Sequence, residues 1–136
     1  MVSLNLDSFE NDKILTDNYL LPKVEIFGAL KTNEEIATLI NHVSQSFEHK
    51  FEPTLTEEGT SGAYVIKSDE GSVAIFKPID EEPFAPNNPR GMQGDFGSET
   101  CRAGVKSGES TIREVAAYLL DHEGFSGVPA TSLVEI

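Results

Sequence analysis

A glycine- and serine-containing loop is the first segment suited to chemistry. The loop is Glu58-Gly59-Thr60-Ser61-Gly62, and it leads directly into a β-prone run. Because glycine has no Cβ, the backbone N–H groups of such a loop can approach an anion closely. The same pattern is more often a plain turn, so by itself it is only weak evidence for a phosphate-binding loop.

A lysine downstream of this loop is the second candidate. Lys77 closes the apolar run Val73-Ala74-Ile75-Phe76, where a buried ammonium group would need a partner. In nucleotide sites such a lysine contacts the phosphates and is held by a carboxylate on a helix, and Glu114 is the candidate carboxylate. Each residue alone also has a simpler interpretation, with Lys77 reaching solvent and Glu114 pairing with Thr111 in a capping box. Their order after the loop favours a phosphate site.

Two elements must hold the loop and the lysine in place. Ile36, Leu39, Ile40, Val43 and Phe47 form one apolar stripe at helical spacing, which predicts a helix over residues 33–47. Thr32 and Glu35 fit a capping box at its start. Residues 63–66 and 73–76 predict a β-hairpin, with a turn containing Gly71 between them, and Pro78 should end its second strand.

The remaining elements follow a long excursion. Residues 78–110 predict a loop of a length that is usually functional or disordered, and Pro83, Pro86 and Pro89 favour a polyproline-like stretch within it. A second helix is predicted over 110–122, with Ser110 or Thr111 as its cap and a shared apolar face of Ile112, Val115, Ala116 and Leu119. Residues 131–136 predict a last strand. The fold class is therefore α+β, with a small antiparallel sheet, two helices and a long Pro/Gly-rich insert.

Composition limits the function classes. The chain has 136 residues and a formal net charge of −13, and a field of this sign repels phosphate backbones, so we expect no nucleic-acid partner. Cys101 is the single cysteine, which excludes an intrachain disulfide. The N-terminal residues lack the pattern of a signal peptide, and no apolar run is long enough to span a bilayer. We expect a cytoplasmic protein, with peripheral membrane contact left open.

Three segments resemble the gamma-type (plant-like) phosphatidylinositol 4-kinases and, more distantly, the type II phosphatidylinositol 4-kinases. They are the run Gly59-Thr60-Ser61-Gly62-Ala63-Tyr64, the block from Val73 through Lys77-Pro78-Ile79-Asp80-Glu81-Glu82-Pro83 to Asn88-Pro89, and the run from Arg113-Glu114 to Asp121. The Lys-Pro-x-x-Glu-Glu-Pro block followed by Asn-Pro is specific to this group. The resemblance covers residues 57–136. It implies a kinase-like N-lobe over residues 32–136, with residues 1–31 as a partly ordered extension.

The resemblance also implies site residues and ligands. It places Ser61, Gly62 and Ala63 in the loop over the phosphates of ATP, makes Lys77 the ATP-contacting lysine, and makes Glu114 the acid that fixes that lysine. Glu82, Pro83 and Phe84 match a segment near the lipid-substrate side. The family's catalytic residues and its Mg²⁺ ligands follow in a C-lobe beyond the matched region, so no catalytic or metal-binding residue is expected in residues 1–136, and this chain alone is expected to be inactive.

The complete enzyme implied by the resemblance transfers the γ-phosphoryl group of ATP to the 4-hydroxyl of phosphatidylinositol. A Ser/Thr protein substrate and a non-catalytic regulatory or interaction role remain as alternatives. Membrane contact, if present, is expected through the insert at 90–106, which carries Arg90, Arg102 and Lys106, or through the part of the complete enzyme that follows the matched region. Because a missing lobe would leave a contact surface uncovered, we also expect an exposed apolar patch.

Overall fold

The computed structural model describes the backbone of residues 2–5 and all of residues 23–27 and 32–136. The prediction of a partly ordered extension over residues 1–31 therefore lies mainly outside the described residues. In chain order the elements are β1 (Val2–Asn5), β2 (Glu25–Ile26), α1 (Glu34–Glu48), β3 (Thr54–Leu55), β4 (Tyr64–Ser68), β5 (Gly71–Pro78), α2 (Ser110–Leu120) and β6 (Ser132–Glu135).

The strands form one sheet in the order β2-β6-β1-β5-β4-β3. Two small antiparallel groups, β2–β6 and β3–β4–β5, lie on either side of β1, which runs parallel to both β6 and β5. The α+β class is confirmed, whereas the expectation of a purely antiparallel sheet is wrong. The reason is that β1, for which no strand was predicted although Val2-Ser3-Leu4-Asn5 alternates apolar and polar residues, lies between β5 and β6 and runs parallel to both.

The predicted hairpin forms, and a bulge in it determines which face each side chain occupies. Val65 pairs with Ile75 and Ile66 with Ala74, but Lys67 then pairs with Ser72, so Val73 is the extra residue. Such a bulge shifts the alternation of side chains between the two faces of a sheet. As predicted, the turn contains Gly71 at positive φ and β5 ends at Pro78.

Helix α1 covers one face of this sheet. Its residue Val43 joins Ile66, Ala74, Phe76 and Val134 in a buried apolar cluster, with other residues of the stripe packed around it. Because side chains alternate along a strand, Ile75 and Lys77 project from the opposite face. The helix prediction is confirmed, but the cap is Asn33 rather than Thr32: the Asn33 side chain accepts the N–H of Ile36.

Helix α2 buries only part of the predicted apolar face. Val115 is buried and Ala116 half-buried as predicted, whereas Ile112 and Leu119 are each 54% exposed and Thr111 is buried. The buried Thr111 N–H donates to Glu82, a contact that the apolar pattern does not include. Leu120 and Phe125 are exposed as well, at 80% and 94%; the expectation that such residues form one apolar patch stays a prediction.

The long excursion is folded, and its proline segment is not polyproline-like. Residues 82–90 form successive turns, in which Phe84 has a positive φ of 62° and Ala85 and Asn88 are fully buried. The periodic prolines suggested an extended chain, but polyproline structure has no internal hydrogen bonds, and here Ala85 N–H donates to Glu82 O at 2.9 Å. Residues 97–107 form a small hairpin-like loop around the bridge between Glu99 and Lys106.

Candidate functional site

Lys77 and Glu114 form an ion pair. Lys77 Nζ lies 2.6 Å from Glu114 Oε1, with side-chain exposures of 26% and 32%. Lys77 extends from the end of β5 and Glu114 from the second turn of α2, so the pair joins the sheet to the helix. Glu114 does not form the alternative capping pair with Thr111. Its other oxygen, Oε2, is buried and has no hydrogen-bond partner among the described residues.

A cavity of about 610 Å³ adjoins this pair. The glycine loop contributes Thr60 and Ser61, α2 contributes Glu114 and Arg113, and the 97–107 loop contributes Arg102. Lys77 does not itself line the cavity, but it is paired with Glu114, which does. The cavity therefore combines hydroxyl donors with two guanidinium groups, in a chain whose net charge is strongly negative.

The structure gives Gly62 a packing role. Gly62 is buried, its N–H donates to Glu81 O at 2.9 Å, and an added Cβ would lie 2.7 Å from Glu81 Cβ. The amide of Gly62 is thus already engaged, and a side chain there would collide with Glu81. Of the three loop residues expected to contact phosphates, Ser61 lines the cavity, while Gly62 and Ala63 do not.

Glu81 in turn accepts a hydrogen bond from a tyrosine of β4. Tyr64 Oη lies 2.8 Å from Glu81 Oε2. Burial raises the pKa of Tyr64 to about 12, and the bond to Glu81 acts in the same direction. Burial also raises the pKa of Glu81, the bond from Tyr64 opposes that shift, and the charge of Asp80 adds to it. The tyrosine is therefore a stable donor that fixes Glu81 beneath the loop.

Substituting Glu81→Gln tests this electrostatic assignment. A carboxylate whose pKa is higher in the folded than in the unfolded state weakens the fold as the pH rises through the folded pKa. Glutamine keeps an oxygen for Tyr64 and cannot ionise. We expect the variant to be at least as stable as the wild type in urea denaturation at neutral pH, with the difference shrinking as the pH is lowered and the wild-type Glu81 becomes protonated. Glu70→Gln in the β4–β5 turn removes the same charge as a control, and a Glu81→Gln variant clearly less stable at neutral pH would contradict the assignment.

Asn88 connects the glycine loop to the segment after β5. Its side-chain Nδ2 donates to Thr60 O at 2.8 Å and to Glu81 O and Glu82 O at 3.1 Å each. Its Oδ1 accepts from the backbone N–H groups of Arg90 and Met92. This role is not evident from the sequence, because an asparagine before a proline is typical of an exposed turn.

Glu82, Pro83 and Phe84, which were expected near a lipid substrate, lie in three different environments. Glu82 is 3% exposed, and its carboxylate accepts three backbone N–H groups. Pro83 lines the cavity, and Phe84 is half-buried, with its N–H donating to Met92 O. Only Pro83 of the three thus borders the cavity.

The three cationic residues of the insert also differ in their contacts and exposure. The Arg90 guanidinium donates to backbone carbonyls of residues 56–58, including a short contact with Thr56 O, so it braces the segment before the glycine loop. Arg102 and Lys106 are exposed. No helix in the described part of the chain is long and apolar enough to cross a bilayer. Residues 23–27 and 32–136 contain no group of three His, Cys, Asp or Glu side chains arranged to hold a metal ion.

The side chains present fit the phosphate groups of a nucleotide. Lys77 has three ammonium donors, of which Glu114 occupies one, and Thr60, Ser61 and Arg102 add donors around the cavity. A half-buried lysine held by a helix carboxylate, together with a glycine-containing loop whose hydroxyl groups line the same cavity as that carboxylate, is compatible with binding nucleotide phosphates. When bound, a nucleotide would supply a transferable phosphoryl group.

The known proteins that this chain resembles in sequence are phosphatidylinositol kinases. Their names assign them to the gamma type of phosphatidylinositol 4-kinase. Phosphatidylinositol 4-kinase gamma 8 of Arabidopsis thaliana is 41% identical over 88% of this chain and 23% of its own length. Phosphatidylinositol 4-kinase gamma 4 of Oryza sativa subsp. japonica is 38% identical over 92% and 26%. Phosphatidylinositol 4-kinase gamma 6 of Arabidopsis thaliana is 47% identical over 71% and 16%.

These similarities support the gamma-type resemblance, and with it a phosphatidylinositol 4-kinase-related protein. The chain spans about a quarter or less of the length of these curated relatives. No family model and no solved structure matches it.

Proposed function

We propose that residues 32–136 form the ATP-binding N-lobe of a phosphatidylinositol 4-kinase-like enzyme. In this proposal Lys77 contacts the phosphates, Glu114 fixes Lys77, and Ser61 faces the phosphates from the glycine loop. The complete enzyme would transfer the γ-phosphoryl group of ATP, with Mg²⁺, to the 4-hydroxyl of phosphatidylinositol. The acceptor follows from the names of the relatives.

One observation carries the proposal: the 2.6 Å contact between Lys77 Nζ and Glu114 Oε1 beside a cavity that includes Ser61. The three residues come from a loop, a strand and a helix that are far apart in the sequence. Each residue has a simple structural explanation alone, but such explanations do not account for the presence of Ser61 and Glu114 on one cavity wall with Lys77 paired to Glu114. Phosphoryl transfer depends mainly on positioning and electrostatic stabilisation, and this group supplies part of both.

Labelling with an acyl-phosphate derivative of ATP, which acylates lysine amines near the bound phosphates, tests the assignment. In the full chain we expect Lys77 to be the main labelled lysine and excess ATP to reduce its labelling by about tenfold, since an occupied site excludes the probe. Lys77→Ala should abolish the ATP-sensitive labelling. The measurement is the labelled fraction of each lysine by peptide mass spectrometry.

Lys67, an exposed lysine on the neighbouring strand β4, is the matched control. Lys67→Ala should leave the ATP-sensitive labelling unchanged, because Lys67 is exposed and Glu114, which lines the cavity, is paired with Lys77. Equal ATP-sensitive labelling of the wild type and Lys77→Ala would contradict the proposal, as would labelling of Lys77 that ATP does not reduce.

A further inference from the structure

The first turn of α2 is capped by a side chain from outside the helix. Glu82 Oε1 accepts the N–H of Thr111 at 2.7 Å, and Oε2 accepts the N–H groups of Gly108 and Ser110 at 2.8 and 3.1 Å. The residue at the N-cap position, Glu109, makes no side-chain capping bond. Glu82 therefore caps the N-terminus of α2, although it lies 28 residues before Ser110 in the chain.

The charge of Glu82 suits this position. The free N–H groups at a helix N-terminus carry partial positive charge, and a carboxylate there is stabilising. Hydrogen bonds to an ionised acceptor are also stronger than those between neutral groups. With 3% exposure, Glu82 is shielded from water that would weaken these bonds. Its carboxylate is thus committed to the helix and is not presented to the cavity.

The cap links both members of the ion pair. Glu82 follows Lys77 by five residues, across the buried Pro78 and a short 3₁₀ turn over Ile79–Glu81. Ser110, which donates to Glu82, precedes Glu114 by one helical turn. The segment that begins with Lys77 is thus hydrogen-bonded, through Glu82, to the helix that carries Glu114. The contact lies one helical turn before Glu114.

We propose that Glu82 is a positioning residue, which holds α2 so that Glu114 meets Lys77. The inference goes beyond nucleotide binding, because it concerns the geometry of the pair itself and is tested without nucleotide. A residue that only stabilises α2 would change the stability of the helix but leave the pair intact in folded molecules. A positioning residue changes the pair while the protein remains folded.

The test compares Glu82→Gln with Glu109→Gln in the full chain. Both variants remove one carboxylate at the same end of α2, but only Glu82 caps the helix. Hydrogen exchange reports on the capped amides, and the ammonium ¹H–¹⁵N signal of Lys77, assigned by its loss in Lys77→Arg, reports on the pair. Both are recorded well below the unfolding temperature, and Glu114→Gln defines the signal of an unpaired Lys77.

In Glu82→Gln we expect exchange at Ser110 and Thr111 to be about tenfold faster, which corresponds to loss of one hydrogen bond. We also expect the Lys77 signal to move toward its position in Glu114→Gln. Glu109→Gln should change neither. Faster exchange with an unchanged Lys77 signal would overturn the proposal, as would equal effects of the two variants. If Glu82→Gln does not fold, Glu82→Asp, which keeps the charge but withdraws the carboxylate, is judged by the same two signals.

Discussion

Replacing Asn88 by alanine is expected to lower the free energy of unfolding by about 3–5 kcal/mol, among the largest effects of a single substitution. Asn88 is fully buried, and its side chain bonds to three backbone carbonyls and two backbone N–H groups. Alanine would leave these groups without their partner in a place that water reaches poorly. Urea denaturation followed by circular dichroism measures the change.

Asn87→Ala is the matched control for this substitution. Asn87 is the adjacent, exposed asparagine, and its side chain makes a single bond to Asp80 Oδ2 at 2.8 Å. We expect Asn87→Ala to cost about 1 kcal/mol or less, as for one exposed hydrogen bond. If the two substitutions had effects within about 1 kcal/mol of each other, Asn88 would not hold the glycine loop as the structure indicates.

Substituting Gly62→Ala is expected to cost about 2–3 kcal/mol, through collision rather than backbone strain. The new Cβ would lie 2.7 Å from Glu81 Cβ and 2.9 Å from Glu81 Cδ. Glu81 cannot give way easily, because its carbonyl accepts the N–H of Gly62 and its carboxylate accepts the hydroxyl of Tyr64. The free energy of unfolding in urea is the quantity to measure.

A double-mutant cycle identifies the cause of this loss. Glu81→Ala removes the atoms that the new methyl group would meet, so Gly62→Ala should cost at least about 1 kcal/mol less in that background. Gly59→Ala serves as the comparison, since Gly59 has positive φ but no atom within 4 Å of an added Cβ. Its cost should be the same with or without Glu81. Additive effects of Gly62→Ala and Glu81→Ala would exclude the collision.

The sequence predicted the elements better than their arrangement. The apolar period of α1 and the β-prone runs of the hairpin identify local structure, because helix and strand expose different residues to the core. Thr32 and Asn33 are both good caps, and spacing alone could not choose between them. The burial of Thr111 in place of Ile112 depends on Glu82, which is distant in the sequence. A local pattern cannot contain that information.

The ion pair of the candidate site could be predicted from the charges of its residues and their order along the chain. Lys77 and Glu114 were paired from the sequence because a lysine ending an apolar strand needs a carboxylate. The roles of Gly62 and Asn88 could not be predicted, since each is defined by a residue or backbone group that approaches it only in the folded chain. Arg102 and Arg113 were also missed as cavity residues, because the fold of the 97–107 loop determines where Arg102 lies.

The bulge at Val73 determines which face of the sheet Lys77 occupies. Both Val73 and Ala74 pack toward the α1 side, and the alternation then places Lys77 on the other side. If the same residues paired without a bulge, Val73 would pair with Ile66, and every later residue of β5, including Lys77, would exchange faces. Deleting Val73 would instead leave Ala74 opposite Ile66 in a regular ladder, and Lys77 would keep its face. The bulge therefore reconciles the number of residues in this hairpin with a lysine that points away from the apolar core.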